Sequence, residues 1–418
     1  MTVQAMARKS DVRRKNGRRM NDDGINIDTW LLFAVFSLLC LGIVMVGSSS
    51  LSIADRQFDQ PLYYLLRQVL YAGIGLAIAA VLVRVRLDYW QRSSGLLLIL
   101  SIVLLGLVLI PGIGHEVNGS ARWLALGIFN LQPSEFVKLF VLIYLAGYLV
   151  RRSHEVRTAV RGFVKPMLIL TLICTLLLAE PDFGSAAVML AAAMGMMFLG
   201  GVRVWQFGVL IICVALALAA LIYISPYRLE RLTTFMNPWA DPFASGFQLT
   251  QALIAFGRGE WFGVGLGNSV QKLFYLPEAH TDFLFAVMAE ELGLIGSLFV
   301  VFLFGVIVMR AFMIGRRAER VEKKFEAYLA YGLGLWIGVQ AFTNIGVNMG
   351  VLPTKGLTLP FMSYGGSSLL VMCMVMALLI RVDYETKQAP RKNSGRRKSA
   401  NTMMGARFTT LKGALGKW

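Results

Sequence analysis

The residues best suited to chemistry stand at the edges of apolar segments. Asp282 closes the run Leu276-Pro277-Glu278-Ala279-His280-Thr281-Asp282, immediately ahead of a long apolar stretch. A carboxylate there can cap a helix start, where it meets free N–H groups and the positive end of the dipole, an effect of about 0.3–1 kcal/mol. It can also act as a general base, provided it reaches a substrate hydroxyl with a pKa tuned toward the working pH. Desolvation would raise that pKa, whereas a helix terminus and nearby cations would lower it. Position alone weighs toward the cap.

Other ionisable groups fall inside apolar segments, where each is costly unless it faces a partner or a cavity. Glu135 and Lys138 follow Gln132-Pro133-Ser134. Pro133 suits a first helical turn, and the i, i+3 spacing allows an ion pair on one face. Glu290 and Glu291 lie two turns beyond Asp282, and only Glu290 falls on roughly the same side. Lys355 stands between helix-breaking residues in Leu352-Pro353-Thr354-Lys355-Gly356. Ser363-Tyr364-Gly365-Gly366-Ser367-Ser368 opens another apolar run, and its small residues allow close helix approach or a polar cavity wall. His115 and His280 have no second His or Cys near them in sequence, which argues against a structural zinc site. His154 lies in a basic stretch and reads as solvated. The chain has no Gly-rich phosphate-cradling motif, so its own nucleotide hydrolysis does not drive it.

These residues are positioned by membrane-spanning helices. The chain is 56% hydrophobic with a mean hydropathy of +0.63, and only 16% is charged. A helix needs about 20 mostly apolar residues to cross a hydrocarbon core. Ten segments qualify: 30–50, 62–83, 93–112, 133–150, 166–180, 183–200, 206–225, 283–309, 326–350 and 361–380. The expected architecture is therefore an all-α polytopic membrane domain over 30–382, flanked by basic tails at 1–29 and 383–418. The fifth and sixth segments leave only a short turn at Glu180-Pro181-Asp182-Phe183-Gly184. The basic N-terminal segment and the long first apolar run do not form a cleavable signal. Cys40, Cys174, Cys213 and Cys373 all fall in apolar runs and read as small apolar side chains.

Charge sets the orientation. With the N-terminus inside and ten spans, 32 of the 41 Lys and Arg fall on the cytoplasmic side, the asymmetry of the positive-inside rule. The net charge of +17 thus reflects topology; without aromatic interleaving it does not indicate nucleic acid. The tails read as disordered anchors on an anionic leaflet. Three outer loops remain, 112–132, 225–282 and 350–361. The largest interleaves Trp239, Phe243, Phe247, Phe256, Trp261, Phe262, Phe274 and Tyr275 with glycines, which suits a layer at the headgroup level or a lid on the helix ends.

Four stretches in order carry a resemblance: Asn118 through Leu124 running on to Gln132-Pro133-Ser134-Glu135, then Glu180 through Gly184, Pro277 through Phe283, and Asn344 through Ser368. Together they resemble the SEDS family (shape, elongation, division and sporulation), over about residues 30–382. Ala279 and the stretch Pro353 through Pro360 are most similar to its division branch, with the elongation branch second. The resemblance implies a peptidoglycan glycosyltransferase that polymerises lipid II with a cognate class B penicillin-binding protein and other division proteins. It places the chain in a bacterial inner membrane at the septum, with both termini cytoplasmic. The family's essential aspartate matches Asp282, its functionally sensitive tryptophan matches Trp123, and its buried polar pair matches Glu135 and Lys138. Arg122, Arg258 and Lys355, or a divalent cation (Mg or Mn) carried partly by substrate phosphates, would stabilise a departing diphosphate. Glu278, His280, Ser363 and Ser367 complete the expected substrate-binding set. A lipid II flippase suits the many spans and intramembrane acids, and a non-enzymatic scaffold suits the aromatic outer loop. The placement of the polar groups near one face favours the enzyme, because transport sites usually lie near the midplane.

Overall fold

The structure is a computed structural model. It describes residues 28–112, 114–117, 120–125, 130–209, 211–212, 216, 235–243, 246–353 and 356–389. The tails, most of the expected span 206–225, the start of the largest loop and Lys355 lie outside the described residues.

The bundle is built from α1 (Thr29–Phe58), α2 (Tyr63–Leu82), α4 (Ser94–Val108), α5 (Pro133–Arg151), α7 (Val160–Ala179), α8 (Phe183–Leu199), α10 (Leu284–Arg320), α11 (Lys324–Asn348) and α12 (Gly366–Gln388). These nine match nine of the ten expected spans. Short helices α3 (Leu87–Arg92) and α6 (Ser153–Thr158) join spans at the face where the described chain begins and ends, here the chain-end face. Helix α9 (Phe247–Gly259) belongs to the large loop and packs on α10. Six of the helices are long and apolar enough to cross a membrane by length and composition.

The loop between α4 and α5 departs from the all-α expectation. It folds into a small antiparallel sheet of β1 (Gly114–Val117), β2 (Ser120–Ala125) and β3 (Asn130–Leu131), with β2 central. Ser120-Ala121-Arg122-Trp123 alternates polar and apolar, a period-two signal too short to register beside twenty-residue spans.

Two local devices shape the bundle. Pro166 sits inside α7 and has no N–H to give Gly162; the Tyr148 hydroxyl of α5 donates to that carbonyl instead, at 3.0 Å. Helix α10 breaks at Gly293, whose φ is 68°. The segment after α9 enters the break and replaces the lost ladder. Val264 N–H donates to Glu290 O (2.9 Å) and Gly265 N–H to Glu291 O (3.1 Å), while Glu260 O and Trp261 O accept from Leu294 and Ile295. A Cβ on Gly293 would lie 2.4 Å from Gly263 N, so the close approach requires glycine. Irregular backbone survives near a membrane only when its polar groups are satisfied in this way. Beyond the break α10 turns Leu294, Ile295, Leu298, Phe299 and Phe302 outward, whereas Leu284–Ala289 are buried.

The chain-end face is tied by ion pairs. Asp28 caps α1 and accepts from Arg310, Asp383 pairs with Arg317 at 3.0 Å, and Glu385 pairs with Arg381 at 2.7 Å.

Candidate active site

At the opposite face, three connections converge: the α7–α8 turn, the residues preceding α10, and the α11–α12 loop. The first is held from β2. Arg122 donates through Nε to the Glu180 carbonyl (3.0 Å) and through Nη2 to the Pro181 carbonyl (2.7 Å). Asp182 caps α8 by accepting from Ser185 N–H at 3.0 Å. A Cβ on Gly184 would lie 2.8 Å from the Leu357 side chain, so this turn abuts the α11–α12 loop.

Asp282 is fixed through its own backbone. Its carbonyl accepts from Asn344 Nδ2 and from Asn348 Nδ2, each at 2.9 Å. Asn348 Oδ1 accepts from Ala286 N–H at 3.1 Å, and Asn344 Nδ2 also donates to the Leu357 carbonyl. Two asparagines one turn apart on α11 therefore set both the start of α10 and the neighbouring loop. The Asp282 carboxylate lies against Gly356, where an added Cβ would stand 2.9 Å from Oδ2. No hydrogen bond to that carboxylate is present among the described residues, and it remains partly exposed. Asp282 is therefore not the helix cap that its position suggested; the cap position of α10 is Phe283.

The electrostatics raise the proton affinity of Asp282. Burial, Glu278 and Asp182 raise its pKa, Arg122 opposes them, and the balance pushes it up to about 7. Glu180 is 1% exposed and neither of its carboxylate oxygens has a hydrogen-bond partner among the described residues. Burial and Asp182 push it up to about 8, again against Arg122. Asp182 Oδ2 is likewise unpartnered. A buried acid without partners costs free energy, and protonation is its usual relief. Sequence reasoning quoted Glu180 and Asp182 as part of a motif and left them out of the site. The usable signal was two acids confined to a three-residue turn between apolar helices.

The other expected residues fall into three groups. Glu278 is exposed, and its Oε2 accepts from Thr281 at 2.6 Å in the turn that presents Asp282. His280 is buried, its ring centre 4.6 Å from that of Tyr64 and tilted to it, and its carbonyl accepts from Tyr364 N–H at 2.9 Å. Burial lowers its pKa against the opposing pull of Glu278, and so favours the neutral ring. Trp123 follows Arg122 on β2, pairs with His115 of β1 beside a bulge, and is partly buried.

A second group acts behind the site. Lys138 Nζ donates to Glu135 at 2.8 Å and to Gln340 Oε1 at 3.1 Å, with the Trp336 ring 5.3 Å away. Both charges are buried. Their link to the site is Gln340 Nε2, which donates to the Thr358 carbonyl at 3.0 Å. Ser363 Oγ accepts from Leu359 N–H (2.9 Å), and Ser367 Oγ accepts from Gln132 N–H (2.9 Å). These four side chains shape loops, so their expected place against substrate gives way to a supporting one.

The third group lies elsewhere. Arg258 is 3.2 Å from Glu290, which also accepts from Ser269 and from the Val270 and Gln271 N–H groups. Glu291 pairs with Lys272 at 2.7 Å and accepts from Ser48. Arg258 thus serves the loop anchor and is not among the charges acting on Asp282. Lys355 lies outside the described residues. Among the described residues no three His, Cys, Asp or Glu converge as a metal cage.

The chain matches known proteins over most of its length. Residues 29–388 match the FtsW/RodA/SpoVE family of cell cycle proteins. The chain is 61% identical over 360 residues to a probable peptidoglycan glycosyltransferase FtsW of Nitrosococcus halophilus, covering 86% of this chain and 93% of that one. It is 57% identical over 370 residues to the protein of the same name in Thioalkalivibrio sulfidiphilus, covering 88% and 92%. Among solved structures it resembles a chain described under structural coordination of polymerization and crosslinking by a peptidoglycan synthase complex. The TM-score there is 0.72 at 31% identity, with 87% of this chain and 99% of that one covered. The rod shape determining protein RodA of Thermus thermophilus aligns with a TM-score of 0.64 at 27% identity, covering 88% and 99%. On its motifs, its fold and its relatives, the chain belongs to the SEDS family of polytopic membrane proteins.

Proposed function

We infer that the chain is a peptidoglycan glycosyltransferase, the activity named for its relatives at 57–61% identity, and that Asp282 is its general base. The observation that carries the second part is an Asp282 carboxylate left open while its backbone is fixed by Asn344 and Asn348, with a pKa near 7. A base of that strength is half ionised at neutral pH and can both accept and release a proton.

The substrate is lipid II. Asp282 takes the proton from the 4-hydroxyl of the acceptor GlcNAc. The freed oxygen attacks the anomeric carbon of the donor MurNAc, and the bond to the diphosphate breaks with its electron pair leaving on the diphosphate. One displacement converts an α-linked diphosphate into a β-1,4 glycoside, with inversion and no sugar–enzyme intermediate. Arg122 uses only part of its five-donor guanidinium on two backbone carbonyls, so it has N–H groups left for phosphate oxygens. Any divalent ion would arrive on the substrate's phosphates.

The charge asymmetry supports cytoplasmic termini in a bacterial inner membrane, with the Asp282 face outward. The naming of the relatives supports the division septum, and the synthase-complex neighbour supports a class B penicillin-binding protein as partner. The test is glycan synthesis from lipid II by the purified chain in detergent, with and without that partner. Asp282→Asn is expected to reduce polymerisation by about 10²–10⁴-fold at unchanged melting temperature. Near-normal strand synthesis by the variant would overturn the assignment. Detergent has no second leaflet, so product there separates synthesis from lipid flipping.

A further inference from the structure

On the chain-end face, opposite the face of Asp282, α5 and α7 border an open pocket of about 580 Å³. Its lining is divided by chemistry: Arg151, Arg152 and Lys165 supply charge, Leu168 and Ile169 are apolar, and Tyr144 and Tyr148 complete the wall. Arg151 and Arg152 lie at the end of α5, and Lys165 in the second turn of α7. Leu168 and Ile169 follow one turn deeper. Leu168 is 66% exposed and shares its outward side with Val164 and Leu172, so the apolar part of the cavity continues into the lipid-facing surface of α7.

The site is built and electropositive. Arg151 donates to Ser94 Oγ at 2.9 Å and lies 5.9 Å from the centre of the Tyr144 ring. Glu155 is the carboxylate among these cations; it pairs with Arg152 and, at 3.1 Å, with Lys165. Those partners hold its carboxyl below the ordinary range. One acid against three cations leaves the site with a surplus of positive charge. The Tyr148 hydroxyl is already committed to the carbonyl that Pro166 leaves free, so the α5–α7 spacing is set by the fold itself.

Cations level with the helix ends, above an apolar floor one turn deeper, match an amphiphile with an anionic head. A soluble anion would satisfy only the rim, and a zwitterionic lipid would bring its own cation to it. We propose that this cavity binds an anionic phospholipid, with its phosphate on Arg151, Arg152 and Lys165 and an acyl chain along Leu168 and Ile169. In the orientation inferred above, the lipid belongs to the cytoplasmic leaflet, where anionic headgroups attract basic side chains. The site is separate from the reaction and stands whether or not the chain polymerises lipid II.

The test uses the purified full chain in detergent, titrated separately with phosphatidylglycerol, phosphatidylcholine and inorganic phosphate. Bound lipid is counted by native mass spectrometry and melting temperature is followed in parallel. Phosphatidylglycerol should bind and raise the melting temperature, while the other two should do neither. A cation near the surface strengthens such binding about fivefold, so Arg152→Gln with Lys165→Gln should weaken it roughly 25-fold. Both side chains are about half exposed, so the double variant should melt normally without lipid. Lys165→Arg keeps the charge and should bind as the parent does. Equal effects of phosphatidylcholine or inorganic phosphate, or undiminished phosphatidylglycerol binding by the double variant, would overturn the proposal.

Discussion

Glu135, Glu290 and Glu291 are buried as deeply as Glu180 and Asp182, yet the fold treats the two sets in opposite ways. Each of the first three has a cation within 3.2 Å: Lys138, Arg258 and Lys272 respectively. Among the described residues neither carboxylate oxygen of Glu180 is bonded, Asp182 keeps one oxygen unbonded, and Asp282 beside them is open. An acid closed by a cation holds elements together. Glu180 and Asp282, left among other acids, have a raised proton affinity, which a base working near neutrality requires. In the proposed function the paired acids are architecture and the unpaired ones mark the chemistry.

Breaking a closed pair should therefore cost stability before it costs rate. Lys138→Met strands a buried Glu135 and is expected to destabilise the chain by about 3–5 kcal/mol, read as a large fall in melting temperature. Adding Glu135→Gln should recover most of that loss, because the stranded charge is gone. A Lys138→Met variant that melts normally would remove the pair from the architectural side.

Moving an open acid should do the reverse. Gly356→Ala puts a methyl 2.9 Å from Asp282 Oδ2 and must displace the carboxylate or the loop. A misplacement of about 1 Å can cost about 100-fold in rate, so kcat is expected to fall by up to that factor with little change in melting temperature. Retained kcat would mean that the carboxylate has room it does not show.

The smallest effect is the most specific. A base with its pKa raised to about 7 must be ionised to work, so activity should rise with pH through that value and level off above it. Glu278 raises the Asp282 pKa and Arg122 lowers it. Glu278→Gln should accordingly shift the acid limb of the rate profile to lower pH, and Arg122→Gln should shift it higher. Shifts of the same sign in both variants would contradict the electrostatic picture.

The spans were legible because twenty apolar residues leave few alternatives, and the helix starts at Pro133 and near Asp282 were marked by their own chemistry. Glu135 and Lys138 were readable as a pair from spacing alone. Their partner Gln340 was not, since nothing local joins residues two hundred positions apart. Arg258 was expected near Asp282 because both lie in one loop, yet the break at Gly293 takes that part of the loop to Glu290. The sheet carrying Arg122 was hidden because its strands are two to six residues long. Glu180 and Asp182 were visible as letters, but their lack of partners is a property of packing.

The segment entering the break of α10 also constrains how this protein can vary. Surface loops ordinarily tolerate changes in length, because closing a longer loop costs little. Between Gly259 and Gly265 that freedom is absent: four backbone hydrogen bonds depend on a fixed register against Glu290, Glu291, Leu294 and Ile295. A single deletion there would unpair all four at once and slide Gly263 away from Gly293. Inserted or deleted residues in the largest loop should therefore be confined to its stretches on either side of this segment.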